Sequence, residues 1–341
     1  MFKIVADGRL RLWFVVALSI LVVLCALSAI AVGRYSVSPT QLISVFEARF
    51  AGKPAPDQQI DSIVMNARLP RVILALLIGG GLAVAGAAFQ SLFSNPLATP
   101  DTLGVAAGTC VGAVIGLMLE WNMIGVQLLA LIFGLGAVTI ATSIARQRGR
   151  LSIVMLILAG VVMSAVANAI ISILKLVADP TSKLPEITYW LMGSLSGVRF
   201  EAIALGAPLI IAGVAAIYLL RWRLNILALS EDEARASGIN VRVLRRVIIV
   251  AATLITASVV SMCGQVGWIG LLVPHCARML VGNNNRLLIP TSLFLGCSLM
   301  VIIDTLARSA TEAEIPISVL TALIGAPFFI TLLRKTGGNW Q

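Results

Sequence analysis

The side chains that could carry covalent or metal chemistry are few and isolated in this sequence. The five cysteines all lie within apolar segments and show no paired spacing, so we interpret them as small core residues. The single histidine, His275, cannot build a zinc site alone. No GxxxxGK[ST] phosphate-binding loop occurs. The sequence therefore predicts no catalytic site, no metal and no cofactor.

One polar segment, residues 225–246, combines charges with helix-capping residues and contains the only acidic run of the chain. Ser230 can cap a helix N-terminus, with Glu233 as its capping-box partner. Gly238 suits the left-handed end of that helix, and Asn240 can start a second helix. The segment predicts a helix–turn–helix that docks a cytosolic partner. An ordinary connecting loop is the alternative.

Two polar residues fall inside an apolar segment, where their side chains need a polar environment. Asn168 and Lys175 are two helical turns apart and therefore share one face of a helix. Polar groups at membrane depth usually face a cavity or a transport pathway. We predict that this face lines a pathway. Hydrogen bonding between helices is the alternative, and Lys175 could also extend to the membrane surface.

Composition places these residues in a membrane protein. Hydrophobic residues make up 59% of the chain and charged residues 12%, and the mean hydropathy is +1.00. The net charge of +10 comes from residues in short loops, which argues against nucleic-acid binding. The first apolar run, residues 12–32, is too long for the core of a signal peptide, so we predict a retained membrane span.

Hydropathy predicts an all-α polytopic membrane protein with about ten transmembrane helices. The predicted spans are residues 12–32, 70–93, 102–119, 124–144, 151–177, 202–220, 247–265, 268–281, 287–305 and 317–333. A short surface helix is predicted at residues 40–50. The chain 1–341 forms a single transmembrane domain, in which the loop 225–246 separates spans one to six from spans seven to ten.

The basic residues predict the orientation of these spans. With the N-terminus inside, about twice as many Lys and Arg residues fall on the inner side as on the outer side, which predicts both termini and the segment 225–246 in the cytoplasm. A weak internal repeat fits this topology, because Arg71 precedes Gln90 by the same spacing as Arg246 precedes Gln265. Spans two and seven contain these pairs and have opposite directions, so we predict inverted repeats, a common plan of transporters.

Several motifs resemble one family closely and in the same order along the chain. They are RLPRVILALLIGGGLAVAGAAFQ (68–90), NPLATPDTLGVAAG (95–108), YWLMGSLSG (189–197), GWIGLLVPHCAR (267–278) and EIPISVLTALIGAPFFITLLRK (314–335). The chain is similar to the permeases of bacterial ABC importers for iron–siderophores, haem and vitamin B12. Trp268 departs from the family, which often has Phe at this position.

The resemblance implies a homodimer in the lipid of the bacterial inner membrane, with ten helices per subunit and one pathway at the dimer axis. It implies two cytosolic ATP-binding subunits and a periplasmic or lipid-anchored substrate-binding protein as partners, and no catalytic activity of the chain itself. It also implies roles for individual residues. The arginines that resemble those gripping the binding protein are Arg68, Arg71 and Arg308. The ATPase-coupling segment comprises Ser230, Glu231, Asp232, Glu233, Ala234, Arg235, Ala236, Ser237 and Gly238. The gate lies at Asn95 and Leu97, and span five lines the pathway with Asn168 and Lys175.

Two other classes of protein are the alternatives. A secondary transporter driven by ions would favour several carboxylates within its spans, and these spans offer almost none away from their ends. An intramembrane enzyme would need a catalytic group of residues at depth, and His275 has no evident partner in the sequence. For the importer, a ferric siderophore is the expected cargo. Cobalamin, haem and a molybdate-type oxyanion remain open as alternatives.

Overall fold

The computed structural model describes residues 4–336 except 7, 34, 148–149, 229–232 and 234–237. Within this part of the chain nearly all regular structure is helical, which confirms the all-α prediction. Two very short antiparallel pairs form the exceptions, β1 (Val5–Ala6) with β2 (Arg9–Leu10) and β3 (Arg146–Gln147) with β4 (Arg150–Leu151). The helices are α1 (Leu12–Ala31), α2 (Pro39–Phe50), α3 (Gln58–Ser62), α4 (Leu69–Leu92), α5 (Val105–Met118), α6 (Met123–Ala145), α7 (Ile153–Val177), α8 (Lys183–Leu191), α9 (Phe200–Leu220), α10 (Val241–Cys263), α11 (Ile269–Val281), α12 (Asn285–Ser309) and α13 (Ile317–Thr336).

The ten predicted spans all correspond to helices. In the described part of the chain, 7 helices are long and apolar enough to cross a membrane, and three apolar segments are shorter: α5, α11 and the part Ile317–Thr331 of α13. The predicted surface helix is also present as α2, which Ser38 caps through a capping box with Gln41. Hydropathy therefore located a helix at each predicted span, but it did not explain why α5 and α11 are short.

The second span begins earlier than predicted. A continuous helical segment runs over Gln58–Leu92, whereas the predicted span starts at residue 70. Asp57 starts this segment, because its side chain accepts hydrogen bonds from the backbone N–H groups of Gln59 and Ile60. A π-helical turn over Ile63–Arg68 joins α3 to α4. It lies directly before Pro70, whose nitrogen cannot donate to the helical ladder.

The centre of the molecule is the antiparallel pair α4 and α12. The N-terminal part of α4 meets the C-terminal part of α12 through Arg71 and Asp304, and the opposite ends meet through Ser91 and Asn285. Between these ends the backbones touch, since a Cβ added to Gly79 would lie 2.1 Å from the carbonyl oxygen of Gly296. Small residues on α4 therefore allow close helix packing.

A methyl group at Gly79 should destabilise this contact. In Gly79→Ala, the new Cβ would also lie 2.5 Å from Cβ of Met300, so the two helices must separate. We expect the free energy of unfolding to fall by about 1–3 kcal/mol, measured by thermal unfolding in detergent. Gly136→Ala on α6 is the matched control, because nothing lies within 4 Å of its added Cβ. Equal melting temperatures for the two variants would contradict the close contact.

The short helices α5 and α11 begin inside the helical bundle rather than at its surface. A Cβ on Gly160, within α7, would lie 2.0 Å from the carbonyl oxygen of Thr102, just before α5. Similarly, Gly270 at the start of α11 packs on Gly86, within α4. A cavity of about 150 Å³ lies between the two helix starts. Its lining includes Thr99, Asp101, Gln265 and Trp268. Non-helical backbone at such a depth is expected only where protein or a cavity surrounds it.

The helix contacts support the predicted inverted repeat. The first half comprises α1, α4, α5, α6 and α7, and the second comprises α9, α10, α11, α12 and α13. Contacts between helices of one half recur between the equivalent helices of the other: α5–α6 corresponds to α11–α12, α5–α7 to α11–α13, and α6–α7 to α12–α13. Contacts between the halves also correspond, because α4 packs on α11 and α12 as α10 packs on α5 and α6. The last four helices of the two halves thus share one packing plan, whereas α1 and α9 differ, because α9 packs on α10 and α1 packs mainly on α12.

Candidate functional site

Arg68, Arg71 and Arg308 lie together at the N-terminal end of α4, although Arg308 comes from α12. They line a cavity of about 420 Å³. We call this cavity the arginine pocket; its other polar lining residues are Tyr35, Asn66, Ser196, Arg199 and Glu314. The three side chains are 5%, 8% and 8% exposed, respectively. The structure therefore places the three arginines of the predicted docking site together, with most of their surface buried.

Arg71 is held by two carboxylates from distant parts of the chain. Its Nε donates to both carboxylate oxygens of Asp304, at 2.8 and 3.1 Å, and its Nη1 donates to Oε1 of Glu314 at 2.9 Å. Asp304 also lies 3.7 Å from Nε of Arg308. Since a buried charge needs charged and hydrogen-bonded partners, this cluster holds the ends of α4 and α12 together.

Arg68 and Arg308 both bind the end of α1. Nη1 of Arg68 donates to the carbonyl oxygens of Ile30 and Ala31, at 2.6 and 2.8 Å, and its Nη2 donates to that of Tyr35. Nη2 of Arg308 donates to the carbonyl oxygen of Ala29. The last carbonyls of a helix lack intrahelical partners and carry partial negative charge. Two guanidinium groups therefore satisfy the C-terminus of α1.

All three guanidinium groups already have partners inside the chain, so their binding to another protein stays a prediction. Asp304 and Glu314 were not assigned a role from the sequence. The signal was present, because Asp304 is a carboxylate at the end of an apolar span. Its partner, however, is 233 residues away in the sequence, and that pairing becomes visible only in the folded chain.

A network of asparagines lies at the opposite end of α4. Asn225 belongs to a 3-10 turn over Arg223–Ala228, and its Nδ2 donates to Oδ1 of Asn284 at 2.9 Å. Its Oδ1 accepts from the backbone N–H and from Nδ2 of Asn285, at 2.9 and 3.0 Å. Asn285 in turn accepts from Oγ of Ser91 at 2.8 Å. The segment that follows α9 is thereby joined to α4 and α12.

Removing the amide of Asn225 should weaken this junction. In Asn225→Ala, two donors of Asn285 lose their partner, and Oδ1 of Asn284 keeps only the backbone N–H of Arg286. We expect the free energy of unfolding to fall by about 1–3 kcal/mol, measured by thermal unfolding in detergent. Asn283→Ala, an exposed neighbour in the loop before α12, is the control. If both substitutions lowered the melting temperature equally, the asparagine network would not be what stabilises this junction.

Most of the predicted coupling segment lies outside the described residues. Ser230, Glu231, Asp232, Ala234, Arg235, Ala236 and Ser237 are in that part, so their predicted roles stay predictions. Gly238 is described, and its φ of +73° confirms the predicted left-handed conformation. Asn240 caps the next helix as predicted, since its side chain accepts from the backbone N–H of Val243 at 3.2 Å.

The prediction of a separate second short helix in this segment was wrong. The helix that starts after Asn240 is α10, which continues without interruption over Val241–Cys263. No glycine or proline interrupts this stretch, and Leu244 and Ile248 are buried on one face, so the helix continues into the apolar span. Gly238 therefore connects the predicted coupling segment directly to a long helix of the bundle.

The predicted gate residues lie in an exposed turn after α4. The backbone N–H of Asn95 donates to the carbonyl oxygen of Gln90 at 3.0 Å, and its Oδ1 accepts from the backbone N–H of Leu97 at 2.9 Å. The side chain of Asn95 therefore shapes the turn. Leu97 is 46% exposed, which is high for a leucine next to a bundle core. Closure of a pathway by these residues stays a prediction.

The predicted pathway residues lie on a helix with few partners. Helix α7 packs mainly on α5 and α6, and only 22% of its apolar window is buried within the chain. Asn168 is exposed and Lys175 is half-buried. This face is therefore open to lipid, to water or to a second copy.

In the described part of the chain, no group of three or more His, Cys, Asp or Glu side chains could hold a metal.

The sequence and the fold match known transport proteins over nearly the whole chain. The model of the FecCD transport family matches residues 20–335. The chain is 36% identical over 319 residues to a molybdate import system permease of Haemophilus influenzae, covering 93% of this chain and 94% of that protein. It is 33% identical to a hemin transport system permease of Yersinia pestis, with 96% of each chain covered.

A solved structure shares the fold. It is described as an inward-facing conformation of a metal-chelate type ABC transporter, and it matches with a TM-score of 0.87 and 34% identity. The match covers 95% of this chain and all of that one.

Proposed function

Since the chain belongs to the FecCD transport family, a family of ABC importer permeases, we propose that two copies form the translocation pathway of a binding-protein-dependent importer for a metal chelate. The observation that carries this proposal is the pair α4–α12, with the arginine pocket at one end and the asparagine network at the other. A rigid pair with a polar contact site at each end can connect events on the two sides of a membrane.

Three kinds of partner complete the proposed machine. A second copy supports the exposed face of α7, and the pathway runs between the two copies past Asn168 and Lys175. Two cytosolic ATP-binding subunits contact residues 230–238. A periplasmic or lipid-anchored binding protein docks over the arginine pocket. The subunit itself performs no ATP hydrolysis, and it lies in the bacterial inner membrane with both termini in the cytoplasm.

The proposed mechanism moves rigid helices. Closure of the ATPase subunits displaces residues 230–238. Gly238 passes this motion to α10, and Asn225 passes it to α4 and α12. Because α4 ends at the turn that contains Asn95 and Leu97, movement of α4 opens or closes the predicted gate. The cargo passes while the gate turns of the two copies are apart, and passage stops when these turns are in contact.

A ferric siderophore is the proposed cargo. Relatives of the chain include iron chelatin permeases of Helicobacter pylori and a Fe(3+) dicitrate permease of Escherichia coli. A molybdate-type oxyanion is the second candidate, because the full-length relative from Haemophilus influenzae is named for molybdate.

The proposal is tested with proteoliposomes that contain the permease, its ATPase and its binding protein. Radiolabelled ferric siderophore and radiolabelled molybdate are supplied in parallel, and we expect ATP-dependent accumulation of the siderophore. Accumulation of molybdate alone would show that the cargo is a molybdate-type oxyanion and not a ferric siderophore. Accumulation of either one without ATP would overturn the importer mechanism and favour an ion-driven transporter.

Cysteines introduced at position 95 test the gate. If Asn95 of the two copies closes the pathway, Asn95→Cys should crosslink efficiently in one nucleotide state and poorly in another. Gel mobility after mild oxidation measures this difference. Asn283→Cys, at an exposed residue of the loop before α12, serves as the control for unspecific crosslinking. Equal crosslinking at position 95 with ATP, with ADP and without nucleotide would exclude a nucleotide-dependent gate at this turn.

A further inference from the structure

The two carboxylates that hold Arg71 differ in how firmly they are fixed. Asp304 belongs to α12, and its side chain is 1% exposed. Glu314 belongs to the link between α12 and α13, and its side chain is 22% exposed. Water can solvate Glu314 when it leaves Arg71, whereas Asp304 would stay buried. Glu314 is therefore the partner that Arg71 can exchange at lower cost in free energy.

The arginine pocket has more positive than negative charge. Its guanidinium groups come from Arg68, Arg71, Arg199 and Arg308, and the carboxylates that pair with them are Asp304 and Glu314. The surplus favours binding of a further carboxylate. The cavity of about 420 Å³ is large enough to admit a side chain from another protein.

Arg199 differs from the other arginines of the pocket. It precedes α9 as its N-cap residue, and it is exposed. Among the described residues it makes no ion pair, whereas Arg71 and Arg308 are in the ion-paired cluster and Arg68 binds backbone carbonyls. An exposed cation at the edge of the pocket can attract an acidic partner before any internal contact breaks.

We propose that Glu314 occupies, in the unbound permease, the place at Nη1 of Arg71 that a carboxylate of the binding protein takes on docking. Arg199 makes the first contact with that carboxylate and guides it into the pocket. The exchange replaces one carboxylate by another, so the guanidinium of Arg71 stays paired throughout. This inference rests on the proposed docking of a binding protein over the arginine pocket.

Exchange of the carboxylate explains how buried arginines can take part in an interface. Docking does not have to expose an unpaired guanidinium, and the released side chain of Glu314 turns into water from the link between α12 and α13. That link leads directly into α13, which starts at Ile317. Occupation of the pocket is thereby transmitted to α13, which contacts α11 and α12.

The test measures docking of the substrate-binding protein of the same transport system to the permease in lipid nanodiscs. Biolayer interferometry gives the dissociation constant and both rate constants. Glu314→Gln removes the competing carboxylate, so we expect docking about fivefold tighter than for the unaltered chain. Glu312→Gln is the matched control, since it changes the net charge equally in the same link but is exposed. It should leave the dissociation constant nearly unchanged.

Two more variants test the first contact at Arg199 and the exchange at Arg71 separately. Arg199→Gln should slow association by about threefold at low salt and by less at high salt. Glu314→Asp keeps the charge but shortens the side chain, and we expect it to tighten docking as well. If Glu314→Gln docks no more tightly than Glu312→Gln, the inference is overturned while the proposed function stands. Absence of docking by the unaltered permease would overturn both.

Discussion

Uptake of the cargo should fall to background when Gly238 is replaced by valine, while the permease still enters the membrane and forms dimers. Gly238 has a φ of +73°, and nothing lies within 4 Å of the position of an added Cβ. The effect of the substitution is therefore conformational and not steric. A β-branched residue is strongly disfavoured at positive φ, at a cost on the order of 1–2 kcal/mol.

The strain in Gly238→Val should be relieved by a change of backbone angles at the joint between the coupling segment and α10. The ten spans are stabilised by apolar surface elsewhere, so insertion should be unaffected. Co-purification with the ATPase subunits and ATP-dependent uptake are measured in parallel, and we expect both to be lost.

Two control variants make this result specific. Gly238→Asn should retain most activity, because asparagine tolerates the left-handed conformation better than valine does. Gly52→Val introduces the same strain at a φ of +65° in a loop far along the chain, again with free space around the added Cβ. It should leave ATPase binding intact. Full ATPase recovery and normal uptake for Gly238→Val would show that this joint does not couple the subunits.

Loss of the folded permease is the expected result of replacing Arg71 by methionine. The substitution leaves Asp304 as a buried carboxylate whose remaining cationic contact is Arg308, at 3.7 Å. Breaking a buried ion pair by removing one partner typically costs about 3–5 kcal/mol. We expect a large fall in melting temperature and in the yield of monodisperse protein.

A second substitution should restore much of that stability. In the double variant Arg71→Met with Asp304→Asn, the buried charge is neutralised, and Glu314 can turn to water. We expect at least half of the lost stability to return. A double variant as unstable as Arg71→Met would mean that shape, rather than charge, determines the stability at this position. Charge reversal to Glu is unsuitable here, since it would place a third carboxylate beside Asp304 and Glu314.

The sequence predicted the spans better than it predicted the contacts between them. Apolar runs favour the bilayer, so hydropathy alone located the helices of all ten predicted spans. Capping residues act within a few positions of each other, and Gly238 and Asn240 were accordingly predicted correctly. The end of the coupling segment was predicted incorrectly, because the charged residues before the apolar part of α10 suggested a separate helix.

The ion pairs of the arginine pocket could not be predicted from the sequence. The count of basic residues predicts the side of the membrane on which a loop lies, but it does not pair Arg71 with Asp304. The pairing joins residues 233 and 243 positions apart, through the packing of α4 against α12 and the link after it. The asparagine network depends equally on the fold, since Asn225 and Asn285 are 60 positions apart.

The short helices α5 and α11 constrain how the nascent chain enters the bilayer. Helices of 14 and 13 residues rise only about 20 Å, against roughly 30 Å of hydrocarbon. Neither can insert alone from the translocon, because the adjoining backbone would meet lipid without hydrogen-bond partners. Each is followed by a long helix on which it packs, α6 or α12, so the two should leave the translocon as hairpins. The start of α5 is covered by α7, which is synthesised later. We therefore expect a nascent chain that ends after α6 to remain bound by the insertion machinery until α7 emerges.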